Sequence, residues 1–323
     1  MLRRILAIFE PFVLALLGTV LIASLLPARG VWAQVFDIVA DAGIVLLFFL
    51  NGAKLSREAI VAGARNWPLH LAVMGSTFVL FPLLGLGIAA LPILDGPLAA
   101  GILFLTLLPS TVQSSIAFTA IARGNVAAAI CSASFSNLLA IVATPALVAL
   151  LMHSTGPGGG MSFAAVRTIL FQLLLPFLAG HLLRPVIGGF VARHKGAVTL
   201  VDRGSILLVV YSAFGAAVVG GLWSRISAHD LIVVAIVCVV LLALVLFATW
   251  ALGRALRMPR EDAIVLLFCG SKKSLASGVP MAGVLFPAAQ VGLIILPLML
   301  FHQIQLIACA LIARRYADSA PDA

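Results

Sequence analysis

Apolar stretches long enough to cross a bilayer recur along the whole chain, separated by short polar breaks. Each of them must be a helix, because hydrocarbon offers no partners to a free backbone N–H or C=O. The spans expected are 9–27, 35–53, 67–91, 97–121, 125–152, 162–187, 203–222, 231–253, 262–286 and 289–313. With 63% hydrophobic and 10% charged residues among 323, no water-soluble core could hide so much apolar surface. The expectation is an all-α polytopic membrane protein of ten transmembrane helices. Span 1 follows basic Arg3 and Arg4 as a signal peptide would, but Leu25, Leu26 and Pro27 leave no small-residue cleavage site, so it reads as retained.

Basic residues collect in cytoplasmic loops. With the N-terminus inside, Arg3, Arg4, Lys54, Arg57, Arg65, Arg123, Arg184, Arg193, Lys195, Arg203, Arg254, Arg257, Arg260, Arg314 and Arg315 all fall on the cytoplasmic side, fifteen of the twenty Lys and Arg. That asymmetry predicts an inner-membrane protein with both termini cytoplasmic. The net charge of +9 reports loop orientation and contact with the lipid bilayer, and no aromatic-interleaved basic patch points to nucleic acid.

A Gly-rich break, His153 to Ser162, divides the spans into five and five. An odd number per half gives the halves opposite orientations, the layout of two inverted five-helix repeats, 1–155 and 156–323. The fourth span of each half is interrupted by small polar residues: Pro109-Ser110-Thr111-Val112-Gln113-Ser114-Ser115 in span 4, and Gly270-Ser271-Lys272-Lys273-Ser274 in span 9. Paired interruptions of this kind point to a transporter's substrate site, since unwound backbone is tolerated only where it lines protein or water.

Lys272 and Lys273 are the most expensive residues in the chain, each costing about 3 kcal/mol at a helix centre. The acidic residues Glu10, Asp37, Asp41, Glu261 and Asp262 sit at span ends, so the lysines need water, an anionic ligand, backbone carbonyls or neutralisation of one of them. Other polar groups within spans are Asn137 in span 5, Gln172 in span 6, and His302, Gln303 and Gln305 in span 10; His302 serves either to carry protons or to bridge helices. The four cysteines lie in spans without Cys-x-x-Cys spacing, and no catalytic motif is present, so zinc, disulfide and enzyme readings all lack their parts.

The sequence Ala122-Arg123-Gly124-Asn125 after a Ser/Thr-rich broken helix resembles the hallmark of the bile acid:sodium symporter family (solute carrier family 10). Pro109 to Ser115 and Phe49-Leu50-Asn51-Gly52 look most like its branch of member 7 and the YfeH-like proteins, and the resemblance covers essentially the whole chain. It implies a panel domain of spans 1, 2, 6 and 7 and a core domain of spans 3–5 and 8–10. Broken helices 4 and 9 would cross in the core, beside two sodium ions, with an organic anion bound between the domains and alternating access by rocking.

Residue by residue, the family's sodium ligands fall on positions that have changed. The Ser-Asn pair of helix 4 falls at Ser115 and Ile116, with Gln113 and Ser114 beside it; the helix 5 Ser and Thr fall at Ala129 and Ala133, flanked by Ser132 and Ser134. The helix 3 Gln falls near Thr77. The helix 9 glutamate falls at Phe268 and its amides at Lys272 and Lys273. Two like charges about 4 Å apart repel by about 4 kcal/mol at an effective dielectric of about 20, which disfavours sodium, the only cofactor-like ion the family suggests.

The leading expectation is a secondary transporter for a small or amphipathic organic anion, in which a lysine ammonium replaces one sodium. The site residues expected are Lys272, Lys273, Ser110, Thr111, Gln113, Ser114, Ser115, Ser271, Ser274, Asn137 and His302, with degenerate sodium positions near Thr77, Ser115, Ser132 and Ser134. The alternative is a non-transporting regulatory membrane protein of the same fold, suggested by the link of the member 7 branch to calcium homeostasis.

Overall fold

A computed structural model describes residues 11–54, 66–94, 96–152, 167–168 and 170–319, and among them there are helices and turns but no strand. The helices are α1 Pro11–Leu25, α2 Val31–Lys54, α3 Trp67–Ala89, α4 Gly96–Thr106, α5 Gln113–Ile121 and α6 Val126–Met152. They continue with α7 Leu170–Arg193, α8 Lys195–Val219, α9 Ala228–Ala255, α10 Arg260–Gly270, α11 Leu275–Leu285 and α12 Ala288–Asp318, with one further helical turn, Leu222–Arg225, between α8 and α9. Seven of these (α2, α3, α6, α7, α8, α9 and α12) are long and apolar enough to cross a membrane.

Expected spans 4 and 9 are each two short helices around a break, 107–112 between α4 and α5 and 271–274 between α10 and α11. Expected loop 188–202 is helical instead: α7 runs to Arg193 and α8 begins at Lys195, with His194 alone between them. Apolar runs mark only the part of a helix that lies in hydrocarbon, whereas its backbone ladder continues into the polar zone. For the same reason α9 and α12 outrun expected spans 8 and 10. The Gly-rich connection 153–162, with the boundary between the expected repeats, lies outside the described residues, as do Arg3, Arg4, Glu10, Arg57 and Arg65.

The chain divides into two compact units. The first unit, from Met1–Leu55, His153–Ala228 and Val279–Ile295, contains α1, α2, α7, α8 and most of α11. Its helices α2 and α7 meet at two glycines in equivalent settings, Phe49-Leu50-Asn51-Gly52 and Phe177-Leu178-Ala179-Gly180. A Cβ on Gly52 would stand 2.0 Å from the Phe177 carbonyl oxygen, and one on Gly180 would stand 1.9 Å from that of Phe49. Small residues let helix backbones touch where lipid gives no hydrophobic drive to association. An ion pair from Lys54 to Asp202 ties α2 to α8, and Tyr211 Oη donates to the Leu26 carbonyl at 2.8 Å.

The second unit, from Ser56–Met152, His229–Gly278 and Leu296–Ala323, contains α3 to α6, α9, α10 and most of α12. Here α10 packs on α3 and α6 through Leu69, Val73, Ala128, Ala129, Val265, Leu266 and Cys269, all buried. The α5–α6 turn is held on the start of α10. Arg123 takes φ 57°, and Asn125 caps α6 by accepting from the Ala128 N–H while donating to Asp262 at 2.9 Å. Asn66 donates to the other oxygen of Asp262 at 2.8 Å, and a Cβ on Gly124 would meet Ile264 at 2.6 Å. The Ala122-to-Asn125 sequence therefore fixes where broken span 4 ends against the first half of broken span 9.

A methyl group at Gly180 has no room, so Gly180→Ala should lower stability by about 1–3 kcal/mol, the usual range for overpacking. Gly189 on the same helix has nothing within 4 Å of a new Cβ, so Gly189→Ala should be neutral or stabilising by up to about 1 kcal/mol. Melting of the two purified variants in detergent checks this; equal melting temperatures would contradict the close approach of α2 and α7.

Candidate functional site

Breaking two helices frees the backbone groups at four helix ends, and in a membrane interior each freed group needs a partner. Within the second unit the carboxyl end of α4 is served almost entirely by side chains. Thr144 Oγ1 donates to the Leu107 carbonyl at 2.7 Å, the Ser274 N–H to that of Pro109 at 2.8 Å, and Asn137 Nδ2 to that of Ser110 at 2.9 Å. At the carboxyl end of α10, Ser271 Oγ donates to Leu267 at 2.5 Å, Ser115 Oγ to Phe268 at 3.1 Å and Ser110 Oγ to Cys269 at 2.6 Å. The two breaks therefore satisfy one another, span 4 donating to the carbonyls of span 9 and span 9 to those of span 4.

Lys273 joins the two. Its Nζ donates to the carbonyl oxygens of Thr77 at 2.8 Å, Thr106 at 2.7 Å and Leu108 at 2.6 Å, and it lies 4.2 Å from the centroid of the Phe81 ring. Thr106 and Leu108 are free because α4 stops there. Thr77 is free for a different reason: α3 widens to a π-turn at Ser76–Leu80, with the Phe81 N–H on the Ser76 carbonyl. In that register the Thr77 carbonyl would need an N–H from residue 82, which is proline.

A neutral amine has two N–H groups and a lone pair, so three carbonyl acceptors require the three donors of an ammonium. Lys273 is therefore held as a cation. Its bonds, worth about 1.5–3 kcal/mol each when charged, match a desolvation penalty of several kcal/mol. The negative end of the α4 dipole adds to them. Gln305 on α12 fixes the backbone of the same residue, accepting from the Lys273 N–H and donating to its carbonyl, both at 2.9 Å. Its amide nitrogen also lies 2.9 Å from His302 Nδ1, which accepts from it.

Lys272, equally buried, is held differently. Its Nζ donates to the Ser114 carbonyl at 3.1 Å and sits 3.9 Å from the Phe118 ring centroid and 5.3 Å from that of Phe268. Among the described residues no carboxylate pairs with either lysine. The amino ends of α5 and α11 reach the surface beside them, with Val112, Gln113 and Ala276 exposed. Helix amino ends favour anions.

Of the residues expected from sequence, the crossing brings together Lys272, Lys273, Ser110, Ser115, Ser271, Ser274 and Asn137. Thr111 and Ser114 join through hydroxyl contacts, Ser114 to Thr111 at 2.8 Å and Thr111 to Ser115 at 2.9 Å. Ser274 also caps α11, accepting from the Ser277 N–H at 3.2 Å, and Ser277 donates to Asn137 Oδ1 at 2.8 Å. His302 reaches the crossing only through Gln305.

Gln113 is exposed and takes no part in these bonds, and Ser134 makes none of them. Ser132 pairs with His70 at 2.8 Å. Thr77 contributes its carbonyl, while its buried hydroxyl has no partner. Gln305, Thr106, Thr144, Ser277, Ser136, whose Oγ accepts from the Ser110 N–H at 2.9 Å, and the rings of Phe81 and Phe118 were not expected in the site. A glutamine one turn from a histidine in an apolar helix was the available signal for Gln305; the rings and carbonyls carry none.

A sequence model of the SBF-like CPA transporter family matches residues 10–318. The chain is 52% identical over 315 residues to the putative symporter YfeH of Escherichia coli (strain K12), covering 97% of this chain and 94% of that one. It is 55% identical over 316 residues to uncharacterized protein PA2026 of Pseudomonas aeruginosa, covering 97% and 95%. Sodium/bile acid cotransporter 7 of Danio rerio is similar at 25% identity over 312 residues, 92% of this chain and 90% of that one. With a match that runs nearly end to end and spanning helices that bear it out, the chain is a multi-pass membrane protein that belongs to the SBF-like CPA transporter family, relatives of the bile acid:sodium symporters.

Proposed function

We propose that this protein is a secondary transporter that moves a small or amphipathic organic anion by alternating access, with the Lys273 ammonium standing permanently where a bound cation would bridge the broken helices. The observation that carries the proposal is the Lys273 cage of three backbone carbonyls at 2.6–2.8 Å. A charge fixed to the chain cannot be loaded on one face of the membrane and released on the other, so this position runs no sodium cycle. Phe268, where the sodium-coupled members have a carboxylate, is buried and apolar, which supports the same conclusion.

Anion selectivity follows from charge. Two buried lysines with no carboxylate partner among the described residues stand beside the amino end of α5, where Gln113 is exposed. Lys272 is the available attractor, since its hydrogen bonding is not saturated. The relatives' names, symporter and sodium/bile acid cotransporter, favour transport of a solute over a purely regulatory role.

In this reading α4 with α5 and α10 with α11 each form one broken span, which gives ten spans in two inverted repeats of five. The unit holding α1, α2, α7 and α8 is the panel, and the unit holding α3 to α6, α9 and α10 is the core; α11 departs from that division, since most of it clusters with the first unit. The distribution of Lys and Arg supports an inner-membrane location with both ends cytoplasmic.

Proteoliposomes free of sodium and loaded with succinate, toluenesulfonate or taurocholate should exchange at least one of these labelled anions. Added sodium should leave the rate unchanged, and Lys272→Gln should lower it at least tenfold. Exchange that requires sodium would overturn the account of Lys273, and wild-type exchange in Lys272→Gln would overturn the role of Lys272.

The two lysines should also differ in what they do for the fold. Lys273→Met orphans three carbonyls and should lower stability by about 3–5 kcal/mol, whereas Lys272→Met loses one hydrogen bond, gains contact with two rings, and should change stability by less than about 1.5 kcal/mol. Thermal or denaturant unfolding of both variants measures the contrast; equal losses would contradict it.

A further inference from the structure

The two adjacent lysines solve the same burial problem in chemically different ways. Three acceptors around Lys273 Nζ require an ammonium; the single acceptor near Lys272 Nζ, the Ser114 carbonyl at 3.1 Å, is served equally well by a neutral amine. Ser114 is half-buried and follows exposed Gln113, so the Lys272 head lies one residue from the accessible end of α5.

We infer that Lys272 is the proton-coupling site of the transporter, taking up a proton when the organic anion binds and releasing it when the anion leaves, so that anion and proton move together. The inference rests on the transport reading above. Release breaks one N–H bond of the ammonium; its electron pair stays on Nζ, and the proton passes to water on the side where the anion departs. The amine is protonated again from water on the side where the next anion enters.

The groups facing Lys272 explain why the anion and the proton need one another. Its own segment presents Cys269, with the cation of Lys273 next in the chain, α12 presents Cys309 and His302, and α5 presents the Ser114 carbonyl and the Phe118 ring. Without an anion, a second positive charge beside Lys273 has no carboxylate to answer it among the described residues. With an anion at the exposed amino end of α5 it does. Each ligand therefore strengthens binding of the other, and linkage makes the effect reciprocal.

The test uses the intact protein in sodium-free proteoliposomes with a pH-sensitive dye inside. Succinate, toluenesulfonate and taurocholate are the probes, and protein-free vesicles are the blank. Adding a transported probe outside should acidify the lumen, and an acid-outside gradient should raise its initial uptake at least tenfold. Lys272→Arg, which keeps the charge but does not release its proton, should abolish both responses, as should Lys272→Met.

Exchange of a labelled probe in the wild type without any luminal pH change would overturn the inference and leave the transport reading standing. Acidification that persists in Lys272→Arg would also overturn it. Neither exchange nor uptake of any of the three probes would overturn the transport reading and the inference together. The wild-type dye signal decides the first question even if a variant fails to fold.

Discussion

One ammonium in a cage of carbonyls joins three separate elements of the second unit of this protein. The Lys273 side chain reaches from the break of span 9 to the carboxyl end of α4, where it bonds to two oxygens, and to the π-turn of α3, where it bonds to one. Three separate departures from helical regularity supply those oxygens: α4 stops at Thr106, α3 widens at Ser76–Leu80, and Pro82 has no N–H to give. None of these would be tolerable in a bilayer without a donor to answer it, and none of them alone would need a charged one.

The rest of the crossing follows the same rule. Ser110, Ser115, Ser271, Asn137 and Thr144 each place a donor on a carbonyl that the breaks have exposed, so the irregular backbone is satisfied by short side chains within the protein. Among the described residues of the crossing, charge enters only at the two lysines. One of them is saturated and structural; the other has one acceptor and two aromatic faces. In the reading proposed above, a pair of neighbouring lysines separates two duties that a bound metal cation would combine, bracing the crossing and carrying a charge that can change.

Much of this was legible in the sequence because the membrane makes polar residues conspicuous. The apolar runs marked the helices, Pro109 and Gly270 marked the breaks, and Lys272 and Lys273 stood out by their expense. What the sequence hid was rotation and reach. Periodicity does not carry through a break, so it could not say that Lys273 would find three acceptors and Lys272 one. Gln113 looked like a neighbour of the site and is exposed, while Gln305, thirty-two residues from Lys273, caps its backbone. The link between Pro82 and the Thr77 carbonyl depends on a π-turn that no composition signals. Helix ends were missed where α7 and α8 continue past the apolar zone to His194.

Equilibrium binding of radiolabelled sodium to the purified protein tests the claim at the centre of this account, that the Lys273 ammonium stands in for a bound cation. Saturable sodium binding should be absent from the wild type and should appear in Lys273→Ala, where the carbonyls of Thr77, Thr106 and Leu108 lose their donor. Saturable sodium binding to the wild type that Lys273→Ala abolishes would contradict it.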